Sequence, residues 1–161
     1  MRHPIAIRAA GAGDVPRIVG LLNAAFAMER AFLDRDRTSA AEIADHLGSG
    51  LFFVVDAEDG ALAACVYLAQ RGDRMYLGML AVSPAHQGRG LGRLMMAAAE
   101  RHAVSLGCHA IDIRIVDRRT ELPPFYRSLG FVDNGTEPFV DPLLTKPCHF
   151  MLMTKAVGQA G

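Results

Sequence analysis

The chain has 161 residues, with 17 Lys+Arg against 17 Asp+Glu, so its formal net charge is zero. That length suits one domain with its own hydrophobic core. The balance excludes a basic field that recruits nucleic acid, and no polybasic patch points to a membrane surface.

The longest apolar run, about nine residues at 61–69, is far below the roughly 20 that span a bilayer. The opening Met1-Arg2-His3-Pro4 leads toward a short strand and not into a signal-peptide apolar region. Three widely spaced cysteines argue against a disulfide framework and for a reducing, cytoplasmic setting.

In chain order, Ile5-Ala6-Ile7-Arg8 alternates like a first strand. Gly11-Ala12-Gly13 is a turn, and Asp14 is placed to N-cap the next helix. Val15, Ile18, Val19, Leu22, Ala25 and Phe26 share one helical face, which predicts an amphipathic helix to about Arg30. Asp34-Arg35-Asp36-Arg37 reads as a charged break. Thr38 or Ser39 caps a second helix through Leu47, with Glu42 positioned for a capping box from Ser39. Leu51 to Val55 is a strand by β-branched and aromatic content. Asp59-Gly60 is a hairpin turn, Ala61 to Ala69 returns as a strand, and Arg71-Gly72-Asp73 turns into the central strand.

The central strand runs from Met75 to Val82 without a charge and ends at Ser83-Pro84, so burial on both faces is expected. His86-Gln87-Gly88-Arg89-Gly90-Leu91-Gly92 follows. Leu91, Leu94, Met95, Ala98 and His102 then recur at helical spacing up to Gly107, a helix C-cap. Three glycines in five residues let a ligand approach the backbone. They sit where a helix begins, and the unpaired N–H groups there, with the helix dipole, favour a phosphate. Arg89 and Arg93 add positive charge. A Rossmann fingerprint fails because the sixth residue from Gly88 is Arg93, and there is no Gly-Lys-Ser/Thr for a nucleotide-triphosphate loop.

What does match is Gln87-x-x-Gly90-x-Gly92 after a Val-x-Pro strand end. Here the chain resembles the GNAT superfamily of N-acetyltransferases. The resemblance implies that residues Gln87, Gly88, Arg89, Gly90, Leu91, Gly92 and Arg93 hold the pyrophosphate of acetyl-coenzyme A.

Downstream, Ile111, Ile113 and Ile115 face one way and Asp112 and Arg114 the other, in a strand parallel to the central one because a helix connects them. Pro124 to Phe131 reads as a short helix stopped by Gly130. Its Tyr-x-x-x-Gly-Phe spacing is similar to a second GNAT segment, whose tyrosine lies close to the coenzyme sulfur. Phe131-Val132 and Asn134-Gly135-Thr136 follow. A proline-punctuated loop, 137–147, precedes a last alternating strand, Cys148 to Lys155. A loop of that length is expected to be functional. The resemblance spans about Ile5 to Lys155. It implies a mixed, mostly antiparallel α/β sheet of about seven strands with about four helices. One acetyltransferase domain, 1–155, is expected, with a disordered tail at 156–161. The pieces Pro-Phe-Tyr-Arg-x-Leu-Gly-Phe, Thr-Glu-Pro-Phe and Lys-Pro-Cys-His-Phe are similar to a bacterial GNAT subgroup of unassigned substrate.

The implied chemistry is transfer of an acetyl group from acetyl-coenzyme A to a primary amine of a small molecule, protein or peptide, with both reactants bound. A negative charge develops on the thioester oxygen, and backbone N–H groups at a strand end can stabilise it. The Leu80, Ala81 and Val82 amides are assigned this role, and in the family they also pair with the pantetheine arm. The leaving thiolate wants a proton donor, for which Tyr126 is suited. The central strand carries no acid, so the family's usual glutamate base does not transfer. Glu29, Asp112 and His149 are the candidates, and Glu29 is favoured because the family's first helices border the acceptor pocket. Arg37 and Thr38 could line the same pocket. The missing acid keeps a second class open, a non-catalytic acyl-coenzyme A binding module. Cys108-His109 and Cys148-His149 do not read as zinc ligands, since neighbours on a strand face opposite ways. Oligomeric state stays open, a homodimer included.

Overall fold

The structure is a computed structural model and describes residues 5–158. The elements follow in the order β1 (Arg8–Ala9), α1 (Val15–Ala25), α2 (Ala40–Ser49), β2 (Leu51–Asp56), β3 (Leu62–Arg71), β4 (Arg74–Val82), α3 (Leu91–Ser105), β5 (Ala110–Val116), α4 (Leu122–Ser128), β6 (Val132–Pro138) and β7 (His149–Ala156). One seven-stranded sheet has the order β1-β2-β3-β4-β5-β7-β6. Every neighbouring pair is antiparallel except β4 and β5. The fold expected from the sequence is therefore the one observed.

The period-two alternation of strands sorts the core into two layers. On one face Ala64, Val66 and Leu68 of β3 and Met75 and Leu77 of β4 meet Met95, Ala99 and Ala103 of α3. On the other, Phe52, Val54, Cys65 and Tyr67 meet Ile18 and Leu22 of α1 and Ile43 of α2. Strand β3 is buried at every position from Leu62 to Ala69. Ser39 Oγ accepts from the Glu42 N–H at 3.2 Å and starts α2 as the sequence predicts. Gly107, at φ +79°, ends α3 in a Schellman turn, its N–H donating to Val104 O and that of Cys108 to Ala103 O.

Several expectations are corrected. The first strand is only Arg8–Ala9, opposite Val54 and Phe53, with one further bond from the Ala10 N–H to Phe52 O at 2.9 Å. Asp14 does not cap α1; its carboxylate accepts from Arg8, Arg17 and the Gly11 N–H, and charged donors outcompete a helix N–H. Helix α1 stops at Ala25 rather than near Arg30, and a separate 3-10 turn, Ala27–Ala31, re-aims the chain. The last strand reaches Ala156, and buried Val157 donates its N–H to His109 O at 2.9 Å, so the ordered chain continues past Lys155. Residues 1–4 and 159–161, where the leader and tail expectations fall, lie outside the described residues. No helix among the described residues is long and apolar enough to cross a membrane.

Strand β4 is not buried on both faces. Met75, Leu77 and Ala81 are buried, but Tyr76, Gly78, Met79, Leu80 and Val82 are only half-covered. The reason is topological: β4 pairs with β5 only over Arg74–Tyr76, opposite Ala110–Asp112, and the strands then part. The opening they leave is the site.

Candidate active site

The parted strands enclose a cavity of about 390 Å³, walled by residues 77–82 of β4, residues 113–116 of β5, Tyr126 of α4 and the Phe26–Glu29 turn. At one end it shares Val82 and Gln87 with a cleft of about 200 Å³ at the glycine turn. At the other it shares His46, Tyr67, Tyr76, Ile113 and Arg114 with a broad polar cavity of about 880 Å³. The three cavities thus adjoin one another along the opening between β4 and β5.

The glycine turn is built to admit an anion. Gly88 and Gly90 have φ of +80° and +77°, which L side chains rarely adopt, and a Cβ added at either would meet nothing within 4 Å. The empty space beside backbone N–H groups is a cradle that side chains would fill, and it fits a pyrophosphate. Gly90 opens α3, so the N–H groups of Leu91, Gly92 and Arg93 start the helix without intrahelical partners. Arg93 lines the cleft, donates to Ser128 Oγ at 3.1 Å and lies over the Phe125 ring. Gln87 donates to Val82 O at 3.3 Å and ties the turn to the strand. Arg89 is exposed and lines neither cleft nor cavity.

At the middle of the passage β4 is deformed. Cys65 pairs with Ala81 and Tyr67 with Gly78, so Met79 and Leu80 oppose the single residue Val66. This is a β-bulge, and Met79 has a positive φ of 53°. Positive φ in a non-glycine strand residue is a local strain that its surroundings must hold. Cys65 helps: its thiol donates to Met79 O at 3.4 Å, and burial pushes that thiol up to about 12, so it stays protonated. The bulge interrupts the ladder with β3 at Met79 and Leu80, Ala81 and Val82 return to register with Cys65 and Ala64, and the edge of β4 that has parted from β5 lines the cavity.

Tyr126 lines the same cavity and is 7% exposed. Its ring packs edge-on against Phe125 and Phe131, and its hydroxyl has no hydrogen-bond partner among the described residues. Burial pushes its phenol well above the ordinary range, so it is held protonated.

Glu29 reaches the cavity from the 3-10 turn and is 6% exposed. One carboxylate oxygen accepts from Arg119 Nη1 at 2.8 Å; the other lies 3.8 Å from Arg37 Nε. Arg119 and Arg37 also sit over the Phe26 ring, at 5.2 and 5.3 Å. Of the other candidate bases, Asp112 is bound by Arg74 at 2.6 and 2.7 Å and by Thr154, and Arg74 holds it below the usual carboxylate range. His149 is mostly exposed and lines none of these cavities. Arg37 lines the pocket; Thr38 is buried against Asn23 instead.

Residues 17–131 match the family model described as the acetyltransferase (GNAT) family. The chain belongs to the GNAT family. This GNAT chain is 31% identical over 116 residues to glucosamine 6-phosphate N-acetyltransferase 1 of Oryza sativa subsp. japonica, covering 68% of this chain and 67% of that one. It is 29% identical over 132 residues to the mycothiol acetyltransferase of Gordonia bronchialis, covering 76% of this chain but spanning only 41% of that protein. Among solved structures, the ribosomal-protein-S18-alanine N-acetyltransferase from Escherichia coli superposes with a TM-score of 0.78 at 19% identity, over 98% of this chain and 97% of that one. A phosphinothricin acetyltransferase from Sinorhizobium meliloti in complex with AcCoA gives 0.77 at 19% identity, over 97% and 90%. At such identities the structural likeness concerns the fold.

Residues that sequence reasoning missed in this GNAT chain are Arg119, His46, Tyr67 and Tyr76, all cavity walls. Arg119 stands 90 positions from its partner Glu29, so no local spacing signals it. His46 and Tyr67 meet only across the α2–β3 packing, with ring centroids 4.6 Å apart. Among the described residues no group of three His, Cys, Asp or Glu could hold a metal ion.

Proposed function

We propose that this chain moves the acetyl group of acetyl-coenzyme A to a primary amine of a small molecule, or to a protein or peptide amino group, by direct transfer with both reactants bound. The observation that carries this reading is the row of adjoining cavities along the parted strands: a glycine-turn cradle at one end, a bulged strand at its centre and a polar mouth at the other. The coenzyme supplies an activated thioester. The backbone N–H groups from Gly88 to Arg93, with Arg93, hold its pyrophosphate; Gln87 keeps the turn against β4; exposed Arg89 adds long-range attraction. The amides of Leu80, Ala81 and Val82 align the pantetheine arm and donate to the carbonyl oxygen as it gains charge. The Tyr126 hydroxyl donates to the departing sulfur. Because burial raises its phenol while a free thiol lies near 8.5, it holds the thiolate by a hydrogen bond before any full transfer. Glu29 binds Arg119 and Arg37, so it braces the acceptor wall instead of collecting the amine's proton.

Three free, buried cysteines accord with the reducing cytoplasm as the working compartment. Sedimentation velocity decides between a monomer and a homodimer.

The test is coenzyme release with acetyl-coenzyme A and four amines suggested by similar proteins: glucosamine 6-phosphate, phosphinothricin, spermidine, and a peptide with N-terminal alanine. Tyr126→Phe keeps the ring and removes the donor. It should bind acetyl-coenzyme A as before and lose roughly 10²-fold in kcat. Turnover within about threefold of wild type, where chemistry limits the rate, would remove Tyr126 from the mechanism. Acetyl-coenzyme A binding without turnover of any wider amine panel would favour the non-catalytic module, which the acid-free β4 keeps open.

A further inference from the structure

We propose that His46 is the proton acceptor for the incoming amine, an inference that rests on the acetyl-transfer reading above. His46 stands on α2, near its C-terminal end, and lines both the central cavity and the broad polar one. Its Nδ1 lies 2.8 Å from the main-chain oxygen of Glu42. A carbonyl oxygen can only accept, so Nδ1 carries a hydrogen. In the neutral ring the lone pair is therefore on Nε2. Nε2 has no hydrogen-bond partner among the described residues and is not fully buried. The ring is held edge-on to Tyr67 at 4.6 Å between centroids, and Tyr67 in turn packs on Tyr76 of β4. The contacts hold the imidazole plane and its tautomer, leaving one basic nitrogen open where the polar mouth meets the passage.

Two of the acids lining these cavities are engaged, while Asp45, on the same helix as His46, has no side-chain partner among the described residues. Glu29 is bound by Arg119 and Asp112 by Arg74 and Thr154. An amine arriving from water at neutral pH is an ammonium and has no lone pair to attack with. His46 Nε2 takes one proton from it, directly or through a water, and returns that proton to solvent through the wide mouth. The freed lone pair forms the C–N bond as the C–S bond breaks, and the electron pair leaves on sulfur. The second proton lost by nitrogen is balanced by the one that ends on the coenzyme thiol. The titratable or charged groups that share the two cavities with the imidazole are Glu42 and Asp45 on its own helix, Tyr67 and Arg71 of β3, Arg74 and Tyr76 of β4, Asp112 and Arg114 of β5, Glu137 of β6, and Glu29, Arg35, Arg37, Arg119 and Tyr126 around the central cavity.

The experiment compares wild type with His46→Asn and His46→Ala, using whichever of the four amines above wild type turns over best. Asparagine keeps an N–H for Glu42 O and has no basic nitrogen. Both variants should show the full acetyl-coenzyme A melting shift. At pH 7 both should lose about 10²-fold in kcat/KM for the amine. The loss should close to within severalfold near pH 9.5, where more of the amine is already neutral, and added imidazole should restore part of the His46→Ala rate. A loss that does not change with pH, or Asn activity within about threefold of wild type, overturns the proposal. Independently of any acceptor, ring-nitrogen NMR should find the Nδ1–H tautomer at pH 8, and the Nε2–H tautomer also overturns it. If wild type shows no acetyl-coenzyme A shift, the underlying transfer reading fails, and this proposal falls with it for that separate reason.

Discussion

Replacing Glu29 by glutamine tests whether that carboxylate is a brace or a base. Glu29 and Arg119 have side-chain exposures of 7% and 10% and meet at 2.8 Å. Removing one member of a buried pair typically costs 3–5 kcal/mol, because the other charge is left without compensation. Arg119 keeps a second partner, since its Nε donates to Glu121 at 2.6 Å, and Glu121 is well exposed to solvent. The lower end applies, about 3 kcal/mol. For a domain of this size each kcal/mol moves Tm by about 2–4 °C, so Glu29→Gln should melt about 6–12 °C lower. Arg119→Met should cost a similar amount, and the double variant should recover about 1–3 kcal/mol as a coupling energy. Thermal unfolding of the four proteins, with and without acetyl-coenzyme A, measures this. If Glu29→Gln melts within 2 °C of wild type yet loses nearly all turnover, the carboxylate acts on the acceptor and the bracing role is wrong.

Gly90→Val tests the phosphate cradle. The added side chain has room but not a favourable backbone at φ +77°, so the free protein should lose about 1–2 kcal/mol, or roughly 2–8 °C in Tm. Acetyl-coenzyme A at about 100 times its Kd should stabilise wild type by about 2.7 kcal/mol, NAD and ATP much less, and the variant should keep little of that gain; a folded variant with the full gain refutes the assignment. Asp14 tests the N-terminal charge cluster. Arg8, helped by the Gly11 N–H, holds its carboxyl well below the usual range, so protons bind the unfolded chain more readily. Its contribution is present above about pH 4 and lost as pH falls through the depressed folded value. Asp14→Asn should unfold in urea with roughly 2 kcal/mol less stability at pH 6 and approach wild type toward pH 2, and parallel curves throughout would count against the cluster.

What was legible in the sequence was local. The glycine turn lies between a strand and a helix contiguous with it, so Gln87 to Gly92 announce themselves by spacing. The Asp59-Gly60 hairpin and the Ser39 cap are equally short-range. Periodicity misplaced the end of α1, because the 3-10 turn at Ala27–Ala31 continues a similar apolar rhythm while re-aiming Phe26 and Glu29. Asp14 was misread because its true partners, Arg8 and Arg17, are chosen by charge rather than by helical position.

The site itself was less legible, for one physical reason. A cavity wall and a core wall are written with the same residues. Met79, Leu80 and Val82 are as apolar as Met75, yet the first three line the passage and Met75 is sealed in the core shared with α3. What separates them is where β4 stops pairing with β5, and that depends on register between strands about 35 residues apart. The bulge adds a second non-local cause. Met79 keeps its positive φ in a fold where Cys65, fourteen positions earlier, binds its carbonyl and Val66 leaves it unpaired. The strain therefore sits in the wall of the cavity that Leu80 and Tyr126 also line, on a strand whose other face is anchored in the α3 core. A rigid strand with one displaced turn of backbone can aim N–H groups at a carbonyl without a loop's mobility, which is what electrostatic preorganisation requires.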